Sequence, residues 1–515
     1  MNMAPKPLPD NLDQLKEMLL SERSLCAEQE SVIADLKQQY QNLLEQFRLS
    51  QHRQFGQSSE SSPTQSELFD EAEQTLVTEE PAEKTIAGNP RKQPKRTPLP
   101  KGLPRERIVH DIAEADKHCD TCQHDLHCMG EETSEQLEFI PASIKVIEHV
   151  RPKYSCRHCE QQGTDVAIKI AAVPLSPIPK SFASSSLLAQ IITSKYQYAL
   201  PLYRQESLFK QYGIDLSRKT MASWMMRSAQ LHERVYQRLL QIQLQQSVIN
   251  ADETPLKVIR EDKHHCYMWV YCTGTDSPPT NPHSTDPPNI VLYDYQNSRA
   301  GHCAKGYLRG YQGYLQIDGY AGYDKTDAIL VGCFAHARRK FIEAQKIQVK
   351  GKTGKADWAI NHIQKLYRIE KAIKGQPATQ KQLARQQQAK PLLDEFKAWL
   401  GKSVNQVPPK SAVGKAIGYS LRQWPKLVRY IDHGNLNIDN NRAERAIKPF
   451  VIGRKNWMFA NTENGAKASA TLYSLIETAK ANGLIPFDYI KYLLDELPRN
   501  PEGIEHLLPW NVDLT

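Results

Sequence analysis

Three short stretches decide how this chain is read: INADETPLKV (Ile249–Val258), YLQIDGYAGYD (Tyr314–Asp324) and DNNRAERAIKP (Asp439–Pro449). The first two run through apolar residues into an aspartate, Asp252 and Asp318, and glycine follows the second directly. Apolar runs bounded by turn residues read as strands, so each aspartate is expected near a strand end. The third stretch opens on Asp439 and Asn440, either of which can cap a helix that carries Glu444 inward. Residues 247–335 as a whole read as five strands: SVINADETPLKVI, HHCYMWVYCTG, NIVLYDYQNSRA, GYLQIDGYAGYD and AILVGCFAHA. A Pro-rich loop from Asp276 to Pro288 separates the second from the third.

Adjacent strands lie about 5 Å apart, so Asp252 and Asp318 can share a cation and a helical Glu444 can complete the set. Strand-end aspartate, strand-end aspartate and helical glutamate is how an RNase H-like α/β core gathers three carboxylates. Such a cluster repels itself at neutral pH unless a cation is present. Hard oxygen donors with open positions suit Mg²⁺ or Mn²⁺. Two such ions about 3.5–4 Å apart activate a water and stabilise the leaving oxygen of a phosphodiester. Taken singly, each residue has a plainer reading. A strand-end aspartate is commonly a turn former, and Glu444, close to Arg442 and Arg445, reads as a surface ion pair. Asp294, Asp324 and Asp439 compete on spacing alone.

GCFAHARRKF (Gly332–Phe341) follows the fifth strand and puts Cys333 and His336 at a strand-to-helix junction. Arg338, Arg339 and Lys340 add a basic cluster suited to phosphate. Simple burial for the cysteine and a capping or packing role for the histidine are the alternatives. Lys448, four residues after Glu444, shares its helix face and either steers a phosphate or stays solvated.

Upstream, Cys119-x-x-Cys122 and Cys156-x-x-Cys159 are separated by 33 residues. Two such turns complete a tetrahedral sulfur site for structural zinc. Unliganded, partly buried cysteines are the alternative. Cys128, His118, His124, His127 and His158 crowd the pairs and can replace a ligand. No βαβ pattern surrounds either pair, which argues against a redox motif. Between this module and the strands, residues 184–246 turn helical. IDLSRKTMASWMMRSAQ follows a break at Tyr212-Gly213, with Ser217 as N-cap of a helix starting at Arg218. Arg218, Lys219 and Arg227 on that helix can reach DNA, or the helix simply packs through Trp224 and Met225.

Residues 11–50 contain neither Gly nor Pro and read as one helix. A heptad frame gives an apolar column of Leu12, Leu19, Cys26, Ile33, Tyr40 and Phe47. The facing column, Leu15, Glu22, Gln29, Leu36, Leu43 and Ser50, is half polar. Pairing with a second copy is expected, against the alternative of packing on its own chain. Residues 60–83 then carry eight acidic and no basic side chains, and residues 84–107 eight basic and one acidic. With six prolines from Pro81 to Pro104, this segment buries too little apolar area to offset chain entropy and is expected to be a disordered linker.

The chain has 515 residues, 40% hydrophobic and 24% charged, so core material for several domains is at hand. No apolar run approaches the roughly 20 residues of a membrane span, and the N-terminal MNMAPKPLPD lacks a signal-peptide core. A cytoplasmic protein is expected. Ten cysteines are too few for a disulfide scaffold at this length. A net charge of +8 is too modest to establish a nucleic-acid partner.

NADETPLKV, QIDGYAGYD, GCFAHARRKF and DNNRAERAIKPFVIGRKNW together resemble a bacterial DDE transposase of the insertion sequence sixty-six family. The resemblance covers nearly the whole chain and extends to the leading helix, RQFGQSSE (Arg53–Glu60), the paired zinc knuckles and GIDLSRKTMASWM. It implies that Asp252, Asp318 and Glu444 are the catalytic triad and that Cys333-x-x-His336 matches a signature between the second Asp and the Glu. The first knuckle departs from the family pattern in reading CDTC, and RQFGQSSE lacks the basic residues common before its Ser-Glu.

The expected fold is a multidomain α+β chain. A zipper-like helix (1–55) and charged linker (56–107) lead into a zinc ribbon (108–173) and a helical, helix-turn-helix-like region (174–246). Core strands follow (247–344), interrupted by a helical insertion (345–430) before the glutamate helix and C-terminal helices (431–515). The implied function is binding of terminal inverted repeats, cleavage of the element ends and joining of the 3′ hydroxyls to target DNA. DNA, a second copy through the leading helix and accessory proteins of the same element are the implied partners. A transposase-derived DNA-binding regulator without catalysis, or a stand-alone nuclease, are the other readings.

Overall fold

The computed structural model describes residues 11–55, 107, 144–154, 169–261, 265–275, 278, 288–347, 354–512 and 514. The four zinc-site cysteines, Cys119, Cys122, Cys156 and Cys159, and the charged linker over 56–106 lie outside these residues. The chain divides into two units, Pro81–Ala172 and the remainder. In the first, a short antiparallel ladder pairs Lys153–Tyr154 with Lys169–Ile170.

In the second unit, helix α1 (Leu12–Phe55) leaves its described apolar residues exposed, apart from the half-buried Leu44. Four helices precede the sheet: α2 (Ser185–Tyr196), α3 (Leu202–Gln211), α4 (Arg218–Leu231) and α5 (Glu233–Gln243). The start of α4 is set as the sequence predicts, with the Ser217 hydroxyl accepting from the Thr220 amide at 3.2 Å. Gly213 takes φ +75° in the turn after α3, a conformation that favours glycine.

Strands β1 (Val248–Leu256), β2 (Cys266–Thr273) and β3 (Ile290–Gln296) form an antiparallel meander. Helix α6 (Gly301–Tyr307) then crosses to β4 (Tyr314–Gln316), which pairs parallel with β1, and β5 (Ile329–Val331) adds parallel to β4. The spatial order is β3-β2-β1-β4-β5. A change from antiparallel to parallel pairing needs such a crossover, because a hairpin cannot reverse the chain twice.

Helices cover both sides of the sheet, and the period-2 alternation of each strand feeds two cores. Cys266, Met268, Val270 and Cys272 of β2 join the cluster built on the N- and C-terminal helices. Trp269 and Tyr271, between them, join Ile249 and Ala251 against α6. Burial on both faces explains why CYMWVYCT is an almost continuous apolar run.

Helix α7 (Phe334–Lys346) follows β5. The segment that follows is helical as expected: α8 (Lys355–Ala372), α9 (Ala378–Ala384), α10 (Lys390–Val404) and α11 (Ala412–Leu427), with its own core of Phe341, Ile363, Phe396 and Trp424. A single π-turn (Arg385–Ala389) joins α9 to α10 and buries Arg385, which meets Glu370 through two bonds of 2.9 and 2.7 Å. The chain closes with α12 (Asn441–Trp457), α13 (Glu463–Ala481) and α14 (Pro486–Glu496).

Helix α13 packs along β3, the edge strand. The Ser474 hydroxyl accepts from the Tyr293 amide at 2.8 Å, and Thr478 accepts from the Val291 amide at 3.0 Å while donating to its carbonyl at 2.9 Å. Two hydroxyls one helical turn apart thus satisfy the outward backbone groups of an edge that would otherwise template aggregation. No helix among the described residues is long and apolar enough to cross a membrane.

Candidate active site

The register of β1 with β4 ends at Asn250 opposite Gln316. Two residues further on each chain come Asp252 and Asp318, so the same register sets them side by side just past the parallel ladder. Asp252 is the fifth of nine residues in β1 and still pairs with Val270 of β2. The expected strand end is therefore the end of the parallel ladder and not of β1 itself. Asp318, expected to end the fourth strand, instead lies two residues beyond β4, just before the Gly319 turn. Its Oδ1 accepts from the Tyr320 amide at 2.9 Å. Gly319 takes φ +103°, and a Cβ there would meet the Tyr419 hydroxyl at 3.1 Å. Only glycine suits both constraints.

Glu444 sits in the first turn of α12 and is 5% exposed. Of the two residues expected to cap this helix, Asp439 supplies the side-chain acceptor. Asn440 occupies the cap position but makes no side-chain capping bond, and Asp439 Oδ1 accepts from the Asn441 amide at 3.2 Å instead. The Asn440 side chain turns to β1, donating to the Ala251 carbonyl at 2.8 Å and accepting from Asn250 at 3.1 Å. That pairing seats the glutamate helix on the aspartate strand.

The three carboxylates act on one another. Burial raises Asp252 well above the usual carboxylate range, and the charges of Glu253, Asp318 and Glu444 raise it further. Burial, together with Asp439 and Asp318, pushes Glu444 up to about 8 despite the opposing Arg339 and Arg445. Both Glu444 oxygens are buried without a hydrogen bond. His336 Nδ1 stands 3.4 Å from one and Arg339 3.9 Å from the other. Burial and Arg339 bring His336 down to about 4, so at neutral pH that contact is not an ion pair. A crowded, desolvated group of carboxylates with unpartnered oxygens fits a hard divalent cation.

Cys333 begins α7 and is buried, and its sulfur accepts from the Asn440 amide at 3.2 Å. Cys333, His336 and Glu444 offer ligand atoms within 4.8 Å of one another. Burial holds that thiol well above its usual range, and Arg339 flanks the position. Asp252 and Asp318 also reach Glu444 through their charges.

Of the basic residues, Arg339 and Lys340 share the α7 face of His336. Arg338, about 100° away round the helix, is 5% exposed. The expectation that Arg338 faces phosphate does not survive its burial. Lys448 is half-buried on α12. Arg218, Lys219 and Arg227 are exposed on α4, which buries Met221, Trp224 and Met225, so the packing and the solvent-facing basic residues coexist on one helix. The competing acids are otherwise engaged. Asp294 lies near Gln296, Asp324 pairs with Lys426 at 2.5 Å, and Asp439 accepts from Tyr367 at 3.0 Å.

Several residues here escaped the sequence reading. Glu253 points to the opposite face of β1, where Arg299 and the Tyr323 hydroxyl hold it. Asn250 and Gln316 lie two residues before Asp252 and Asp318, on the same strand faces, and that spacing is the signal that would have found them.

Comparison with known proteins agrees with this organisation. Residues 180–468 match the family described as transposase IS66 family. Residues 116–160 match the zinc-finger binding domain of transposase IS66, residues 42–108 transposase C of IS166 homeodomain, and residues 474–510 the IS66 C-terminal element. Three proteins of Sinorhizobium fredii (strain NBRC 101917 / NGR234) are similar, each described as uncharacterized. The protein y4jD is 34% identical over 80% of this chain and 81% of its own length. The protein y4qI is 30% identical over 98% and 97% respectively, and y4hP is 33% identical over 82% and 77%. No solved structure matches the chain. By the family match over its central and C-terminal parts and by the extent of these relatives, the chain belongs to the IS66 transposase family.

Proposed function

We propose that this protein is a DDE-type transposase with an RNase H-like core: it binds the terminal inverted repeats of its element, hydrolyses one phosphodiester at each end and joins the freed ends to target DNA. The observation that carries this reading is the convergence of Asp252, Asp318 and Glu444 at one end of a sheet ordered β3-β2-β1-β4-β5. Held by these three carboxylates, Mg²⁺ or Mn²⁺ would supply Lewis acidity to the scissile phosphodiester.

In hydrolysis a water oxygen bonds to phosphorus and the element's 3′ oxygen leaves as a hydroxyl. In joining, that hydroxyl bonds to a target phosphorus and expels a target 3′ oxygen. Both steps act on a polyanion. Arg339 and Lys340 supply positive charge beside Glu444, and neutral His336 offers a ring nitrogen to a phosphate oxygen. Lys448, four residues after Glu444 on α12, is assigned to the same phosphate contact. The exposed face of α4 with Arg218, Lys219 and Arg227, and a zinc ribbon on Cys119, Cys122, Cys156 and Cys159, are assigned to end recognition. Two ends must be cut in concert, which assigns α1 to pairing protomers, with accessory proteins of the element joining as needed. The protein acts in the cytoplasm, on the nucleoid.

The test is nicking of a duplex carrying an element end by the zinc-loaded full chain in Mg²⁺. Asp318→Asn is expected to abolish nicking and to leave end binding intact. Equal nicking by the variant overturns the assignment.

A further inference from the structure

Beneath the three carboxylates lies a second triad, of side-chain amides. Asn250 Nδ2 donates to Gln316 Oε1 at 3.3 Å and to Asn440 Oδ1 at 3.1 Å. Asn440 Nδ2 donates to the Ala251 carbonyl at 2.8 Å. Gln316 clasps the backbone of Asn437 in both directions, accepting from its amide at 3.2 Å and donating to its carbonyl at 2.5 Å. All three side chains are buried, none above 3% exposed. No atom of these amides is both fully buried and without a partner.

Each amide belongs to a segment that carries one acid. Asn250 precedes Asp252 by two residues on one face of β1, and Gln316 stands in the same relation to Asp318 at the end of β4. Asn440 precedes Glu444 by one helical turn at the start of α12. We propose that Asn250, Gln316 and Asn440 are positioning residues that interlock the three acid-bearing segments and thereby set the spacing of Asp252, Asp318 and Glu444 for a divalent cation. The inference rests on the reading of those acids as a cation site.

Chemistry favours amides for this task. Carboxylates that repel one another push their segments apart, so the restraint must come from beneath them. A charged restraint would add its own field to the site and would be costly to desolvate. An apolar one would fill the space without fixing register. A carboxamide is neutral and carries both donors and acceptors, so three of them can knit strand, strand and helix directionally in a dry interior, where such bonds are strong. The Asn440 backbone N–H adds a further tie, to Cys333 at the head of α7. The same interlock therefore reaches the helix that bears His336 and Arg339.

The test uses the zinc-loaded full chain and Mn²⁺ alone, followed by electron paramagnetic resonance without DNA. Asn440→Ala is expected to weaken Mn²⁺ binding about 10–100-fold, the range for outer partners of metal ligands, with end-DNA binding unchanged. Gln316→Met, which keeps the volume and removes only the polar ties, is expected to do the same and serves if Asn440→Ala does not fold. Because the amides act as a unit, Asn250→Ala with Asn440→Ala should cost no more than the worse single change. Wild-type Mn²⁺ affinity in a folded Asn440→Ala or Gln316→Met chain overturns the proposal. Asp318→Asn separates the two levels. If it too binds Mn²⁺ normally, the cation-site reading has failed, whereas loss in Asp318→Asn alone means that only the amide interlock has.

Discussion

Glu444 is held far from its ordinary ionisation state. Its folded value near 8 lies above the usual glutamate value of 4.5, so without a cation it is largely protonated at neutral pH. Loading a divalent ion then expels at least one proton, and apparent affinity is tied to pH. The sign follows directly: Mg²⁺ or Mn²⁺ binding should strengthen about tenfold per pH unit as pH rises toward 8, then level off. Stability of the cation-free protein runs the other way. Between pH 4.5 and 8 the folded state holds the proton that the unfolded state has released, so the contribution of Glu444 is full below 4.5 and lost as pH rises through 8. Titrating Mn²⁺ at several pH values checks the first slope and urea unfolding without cation checks the second, with Glu444→Gln as control in both. A pH-independent affinity would show that Glu444 is already ionised and is not the group being displaced.

At the scale of single elements, the edge strand β3 offers the most direct test of packing. Ser474 and Thr478 replace a missing neighbour strand, and the Tyr293 hydroxyl further anchors β3 to α12 through the Ala446 carbonyl. Ser474→Ala leaves the buried Tyr293 amide without its acceptor. The cost should be about 1–3 kcal/mol in urea unfolding, with no effect on DNA binding. A loss below about 0.5 kcal/mol would mean that water reaches the amide. Element type was largely readable from the sequence, because periodicity carries it: five strands, the Ser217 cap and the helices over 355–427 all appear, although β4 and β5 keep only three residues each and the ends of their expected stretches turn helical. What the pattern could not give was side-chain destination. Asn440 looks like any cap residue until β1 offers it a carbonyl. Ser474 and Thr478 look like incidental polar positions in an apolar helix until an unpaired strand lies beside them. Arg338 belongs by composition to a basic cluster, yet helical rotation buries it beside residues of the insertion, which follow it in sequence. Each of these depends on a partner far away in sequence, and local spacing carries no record of that.

For the molecule as a whole, α1 poses the unanswered packing problem. Leu36 and Leu43 are 58% and 66% exposed, and Leu19, Ile33, Tyr40 and Phe47 of the neighbouring heptad column are exposed as well. An apolar stripe that recurs over a helix of 44 residues cannot be left in water at no cost. Its 3.5-residue repeat suits a second helix of the same kind. Glu22 and Gln29 interrupt the facing column and lower the affinity, which favours an assembly whose extent depends on protein concentration. Sedimentation of the full chain across micromolar concentrations should therefore show reversible self-association. Leu36→Glu with Leu43→Glu places like charges opposite one another in the paired helices and should yield monomers. The altered chain should keep Mn²⁺ binding, because the cation site is built wholly from residues after Val248. Self-association that persists unchanged would assign pairing to another surface and leave α1 free for a different partner.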